Sequence, residues 1–175
     1  MYYLVKIVGS ILILAGFGGT GLLLARHEAR RPLELREWQS ALKMLETEIE
    51  YALTPLPEAL STVSGFVRGP VNRCLARAQQ LLKDSDGMGA GQGWVQALRE
   101  NSAWSSLTRS EYEILLTLGS ALGISDRVDQ GKHLRLAMER LKAAELKAAD
   151  EAGKRQRLYG YLGVLTGLMV ILTLY

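Results

Sequence analysis

The chain has 175 residues, 21 basic and 18 acidic side chains, a formal charge of +3 and one cysteine, Cys74. So even a balance, with no stripe of Lys and Arg interleaved with aromatics, excludes a nucleic-acid-binding surface. A lone cysteine excludes an internal disulfide and fits a reducing cytoplasm.

The first element is an uncharged apolar run from Ile7 to Ala25, followed by Arg26, Arg30 and Arg31. As a helix it is long enough to cross a hydrocarbon core of ~30 Å. Only Lys6 precedes it, it exceeds the ~7–15 residues of a signal-peptide core, and Leu22, Leu23 and Leu24 occupy the approach to any cleavage site. It therefore reads as a retained anchor. A second run, Leu158 to Tyr175, is preceded by Lys154, Arg155 and Arg157. Lys and Arg beside membrane helices stay on the cytoplasmic side. Both clusters lie on the inner side of their runs, so the middle of the chain is expected in the cytoplasm and both termini outside. This gives an N-terminal transmembrane anchor over 1–25, a cytoplasmic domain over 26–157 and a C-terminal transmembrane helix over 158–175. The central segment, about 130 residues, is enough for one core.

Within that segment Pro32 can open a helix, since its missing N–H would be unsatisfied there anyway. Leu35, Trp38, Leu42, Leu45, Ile49 and Leu53 then recur at helical spacing and form one apolar stripe. Pro55 and Pro57 force a turn, because the residue before a proline disfavours the helical region. A second helix carries Leu60, Val63 and Val67 and stops at Gly69 and Pro70. A third is expected from Val71 to Asp84, with Leu75, Ala78, Leu81 and Leu82 inward. SDGMGAGQG, 85 to 93, is too rich in glycine for regular structure and reads as a linker. It lacks the GK[ST] of a phosphate loop.

A fourth helix holds Trp94, Val95 and Leu98. TRSE, 108 to 111, has the form of a capping box and opens a fifth helix with Tyr112, Leu115, Leu116, Gly119 and Leu122, ended by Gly123. Ser125 or Asp126 caps the sixth and longest. There Leu134, Met138, Leu141, Glu145, Ala148 and Ala152 form a seam for a partner helix, and only Gly153 interrupts the way into the second run. In that run Gly163 and Gly167 form a GxxxG pair. This spacing allows close helix packing in lipid, although glycine is also simply common in membrane helices. The expected fold is all-α, an antiparallel bundle of about six helices between two membrane helices.

No catalytic constellation emerges. His27 sits at the membrane end, and His133 has only Asp129 on its helix face, with no second ligand pair for a metal. No serine lies in a GxSxG pattern, and Cys74 falls in an apolar helical pattern as an inert thiol. Glu46, at the edge of the first stripe, needs a basic or hydrogen-bonding partner if it is half-buried, and a structural ion pair within the bundle is favoured over general-base chemistry. No enzyme activity, cofactor or metal is expected.

An anchor with basic residues, then LKMLETEIEYALTPLPEAL, a Trp-containing helix, LGSALGISDRVDQGKHL and a helix entering a C-terminal span resembles the stage III sporulation protein AB family. The likeness covers nearly the whole chain. The family's helical domain is similar to that of the type II secretion inner-membrane platform protein. The resemblance implies an endospore former and a sporulation role in the mother cell, within a secretion-like channel to the forespore. It further implies a platform or scaffold subunit in the mother-cell membrane facing the forespore, docking a secretion-type ATPase and joined to other membrane subunits. A regulatory adaptor that binds a soluble cytoplasmic partner is the alternative, and a homo-oligomer stays open. The matching positions are Leu45, Glu46, Glu48 and Ile49, Thr54 to Leu60, and Gly123, Ser125, Asp126 and Gln130, none of them catalytic. Partner-interface candidates are Glu46, Glu48, Glu58, Asp126, Asp129, Gln130 and His133, with Gly163 and Gly167 for packing in the membrane. The glycine-rich 85–93 segment departs from the family pattern and carries no site.

Overall fold

The computed structural model describes residues 29–84, 87–122 and 127–174. The chain divides into two compact units, residues 31–146 and a second made of residues 1–30 and 147–175. Among the described residues there are six α-helices, one short 3₁₀ turn and no strand. The helices are α1 (Arg30–Glu50), α2 (Leu56–Ser64), α3 (Gly69–Asp84), α4 (Ala90–Asn101), α5 (Arg109–Gly119) and α6 (Arg127–Leu174). The 3₁₀ turn, Ser102–Trp104, follows α4.

Helix α1 forms where the apolar stripe placed it, and it is the stave around which the first unit is built. Its buried face carries Leu35, Trp38, Leu42, Leu45 and Ile49. Leu53 is a departure. It lies beyond the helix, 55% exposed, with a left-handed φ of 58°. Pro55 denies Thr54 a helical conformation, and the chain closes by Ala52 N–H donating to Thr47 O and Thr54 N–H to Glu48 O. A non-glycine residue in that region costs on the order of 1–2 kcal/mol, so the turn outweighs the hydrophobic spacing.

Helix α2 has Pro57 in its first turn and buries Ala59, Leu60 and Val63, but it ends at Ser64. Val67 is therefore buried from the connection rather than from the helix. Helix α3 starts two residues earlier than expected, at Gly69, whose φ of 62° needs glycine, and Pro70 sits in its first turn. Its inward face holds Val71, Cys74, Leu75, Ala78 and Leu81.

The glycine-rich segment differs most from expectation, because α4 already begins at Ala90. A Cβ on Gly91 would collide with the carbonyl oxygen of Gly119 on α5, and one on Gly93 would lie 2.8 Å from Leu82 Cδ2 on α3. These glycines permit close helix approach rather than flexibility. The capping box forms at the start of α5, where Thr108 N–H donates to Glu111 Oε2 at 2.7 Å. Gly123, Ser125 and Asp126 lie outside the described residues.

Helix α6 passes through Gly153 without a break. In the first unit its seam buries Leu134, Leu141 and Glu145, with Met138 half-buried. In the second unit, Leu158, Tyr161, Leu165, Met169 and Leu172 are exposed. Among the described residues, no helix is long and apolar enough to cross a membrane. The 7–25 run lies outside the described residues, as do the surroundings of Gly163 and Gly167.

Candidate partner-binding surface

Among the described residues four carboxylates are buried, Glu34, Glu46, Glu111 and Glu145. A buried charge is costly unless it is paired and hydrogen-bonded, so the partner of each defines what the bundle does with its ionisable groups. Glu34 accepts from Ser105 Oγ and from the Ser106 N–H, both at 2.6 Å, and ties α1 to the loop after the 3₁₀ turn. Glu111 accepts from Arg31 Nη2 at 2.7 Å and from the Thr108 N–H. Glu145 accepts from Arg36 Nε at 2.7 Å. Glu46, 1% exposed, accepts from Lys43 Nζ at 2.7 Å and pairs with Arg135 Nη1 at 3.1 Å.

Three ion pairs fix the register of α1 against α6. Going up α1, Arg36 meets Glu145, Glu46 meets Arg135, and Glu50 approaches the Arg135 guanidinium at 3.4 Å. The partners descend α6 as α1 ascends, so the two helices are antiparallel. Gly131 completes the arrangement, because a Cβ there would lie 2.8 Å from Glu50 Oε2. Between the helices an open groove of about 650 Å³ is lined by Gln39, Lys43 and Met44 from α1 and by Arg135, Met138 and Lys142 from α6.

Among the described residues, none of the candidates lines the groove. Glu46 lies beneath the groove, an internal ion-pair residue, as its place on the apolar stripe required. Glu48 is half-buried and accepts from Thr54 Oγ1 at 2.7 Å, closing the end of α1. Glu58 is exposed in the first turn of α2. Asp129 and His133 are exposed on α6, and His133 lines a smaller cavity with Ile114 and Leu136. Gln130 is half-buried between them in sequence, and Asp126 lies outside the described residues. Asp129 takes a hydrogen bond from Lys132 Nζ at 2.8 Å, which holds its carboxyl below the usual range and keeps it charged at neutral pH.

Sequence spacing did not single out Glu34, Arg36, Gly131 or Arg135. Glu34 carried a faint signal, since it falls on one helix face with Trp38 and Ala41. The two basic partners carried none, because a surface arginine gives no sign of which distant helix it will meet.

Two groups bear on chemistry. Burial pushes the Cys74 thiol up to about 12, with Glu34 adding to the effect, so it stays protonated and is no nucleophile at neutral pH. Among the described residues no three of His, Cys, Asp and Glu converge where they could hold a metal. Burial also pushes Glu111 upward, but the hydrogen bonds from Arg31 and Thr108 outweigh it and hold the carboxyl below its ordinary value. A depressed folded-state pKa adds stability that is present above the unfolded value and lost as pH falls through the folded one. Denaturation midpoints of the full chain measured from neutral to acid pH should therefore drop below about pH 4.3. Glu111→Gln should flatten that acid limb. An identical acid limb in the variant would show that the pair carries no pH-dependent stability.

Comparison with known proteins then gives a consistent result. A family model described as stage III sporulation protein AB matches residues 6–175. The chain is 37% identical over 172 residues to the curated stage III sporulation protein AB of Bacillus subtilis (strain 168), covering 98% of this chain and 99% of the relative. A solved structure of a stage III sporulation protein AB matches with a TM-score of 0.65 and 38% identity, over 71% of this chain and 97% of that one.

Proposed function

The chain belongs to the stage III sporulation protein AB family, a family of sporulation proteins, and on that premise we propose that it is a membrane-held scaffold subunit of a secretion-like apparatus. Its bundle docks a cytoplasmic ATPase, while its two apolar runs hold it in the mother-cell membrane facing the forespore, beside the other subunits of a channel. The observation that carries this reading is the disposition of charge. The buried carboxylates are each engaged by partners within the bundle, whereas the α1–α6 groove stays open toward solvent. A protein so built offers a docking face rather than a reaction centre. Support for a membrane setting comes from the uncharged 158–175 run, in which Leu158, Tyr161, Leu165, Met169 and Leu172 are exposed.

The test is recovery of partners with the tagged full chain from sporulating cells. An ATPase and further membrane subunits should be recovered together. Asp129→Lys should reduce recovery of the ATPase with an unchanged helical circular dichroism signal, because Asp129 is exposed and ionised. If that variant unfolds, Asp129 is structural and loses its place in docking. Recovery of a soluble regulator without channel subunits would replace the scaffold with an adaptor.

A further inference from the structure

The groove between α1 and α6 has a chemical character of its own. Met44 and Met138 are half-buried along it, and methionine surfaces adapt to the apolar face of an incoming helix. Lys43, Arg135 and Lys142 line it, against one lining carboxylate among the described residues, Glu139. The carboxylates that hold the first two cations lie beneath them. Glu46 is 2% exposed at its side chain and Glu50 21%, while Lys43 is 66% and Arg135 45% exposed. Each pair is thus a dipole with its positive end toward solvent. Farther along the same seam Arg36 stands exposed over the buried Glu145 and repeats the pattern.

From this charge arrangement we infer that the groove binds an acidic amphipathic helix of a cytoplasmic partner protein. The apolar face of that helix lies on Met44 and Met138, and its carboxylates run along Lys43, Arg135 and Lys142. Complementary charge of this kind sets orientation and encounter rate, so binding should weaken as salt rises. The inference rests on the scaffold reading and names the chemistry of its partner.

The test uses the full chain in zwitterionic nanodiscs with its five methionines labelled at the methyl carbon. Two synthetic peptides share one leucine face and differ only in carrying Glu or Lys on the polar face. The Glu peptide should shift the Met44 and Met138 signals and leave Met88 and Met169 unmoved. Lys142→Glu and Ser40→Glu, both at exposed positions lining the groove, should weaken it at least about tenfold with unchanged melting, and Arg109→Glu, away from it, should not. Equal binding of both peptides, or unmoved Met44 and Met138 signals, would overturn the inference. So would shifts produced by chain concentration alone, which identify a second copy as occupant, or by anionic lipid alone. If the peptide fails while the ATPase is still recovered from cells, the groove assignment falls and the scaffold stands. If the peptide binds and no ATPase is recovered, the scaffold reading falls instead.

Discussion

Trp94→Ala should lower the unfolding free energy by about 3–5 kcal/mol, the cost of deleting a large aromatic from a close-packed core. Trp94 is 1% exposed and makes three contacts that alanine cannot replace. Its Nε1–H donates to the Leu115 carbonyl at 2.8 Å, linking α4 to α5. Its ring stands edge-on to Trp38 of α1, with centroids 5.9 Å apart and planes at 69°. Its Cδ1 fills the space beside Gly119, where a Cβ would come within 2.9 Å. Truncation therefore leaves a cavity among three helices and removes the indole donor from the Leu115 carbonyl. Trp94→Phe keeps much of the volume and loses the hydrogen bond, so its cost should be nearer 1–2 kcal/mol. Urea denaturation of the full chain in detergent measures both. A loss below about 1 kcal/mol for the alanine variant would mean that the site collapses and that Trp94 is no keystone.

Gly91→Ala sets two effects against each other. An alanine inside a helix normally gains about 1 kcal/mol over glycine. At Gly91, however, the added methyl meets backbone, the Gly119 carbonyl oxygen, which cannot rotate away. Overpacking of that kind costs about 1–3 kcal/mol, so the clash should win and the variant should be less stable. Gly153 provides the contrast, since nothing lies within 4 Å of its Cβ position on α6. Gly153→Ala should raise stability by about 0.5–1 kcal/mol. If both variants are stabilised, α4 and α5 do not meet at a glycine contact.

These glycines also mark where sequence reasoning ran out. The SDGMGAGQG composition permits either a loose linker or close backbone approach. Only the position of Gly119, some thirty residues later, decides for the second over Ala90–Gly93. Local signals were legible. The α1 stripe from Leu35 to Ile49 and the Thr108–Glu111 capping box depend on neighbours within a turn or two. Leu53 had the right spacing and the wrong outcome, because Pro55 constrains the backbone more strongly than one leucine can. Glu46 could be read as a carboxylate needing a basic or hydrogen-bonding partner, but its partner Arg135 lies on another helix at a position no periodicity reveals. The α1–α6 groove was illegible for the same reason, since it exists only once two distant segments pair.

The family assignment fixes a sporulation role, and the scaffold mechanism adds one strong requirement: an ATPase in the cytoplasm must be able to reach the helical domain. The most direct measurement places single cysteines at Tyr3, Lys83 and Tyr175 in a Cys74→Ala background of the full chain. Lys83 is exposed on α3, so labelling there reports only the side of the membrane. With a membrane-impermeant thiol reagent on intact cells, Tyr3→Cys and Tyr175→Cys should label, and Lys83→Cys should label only after permeabilisation. Labelling of Lys83→Cys in intact cells would put the bundle outside the cytoplasm and contradict ATPase docking.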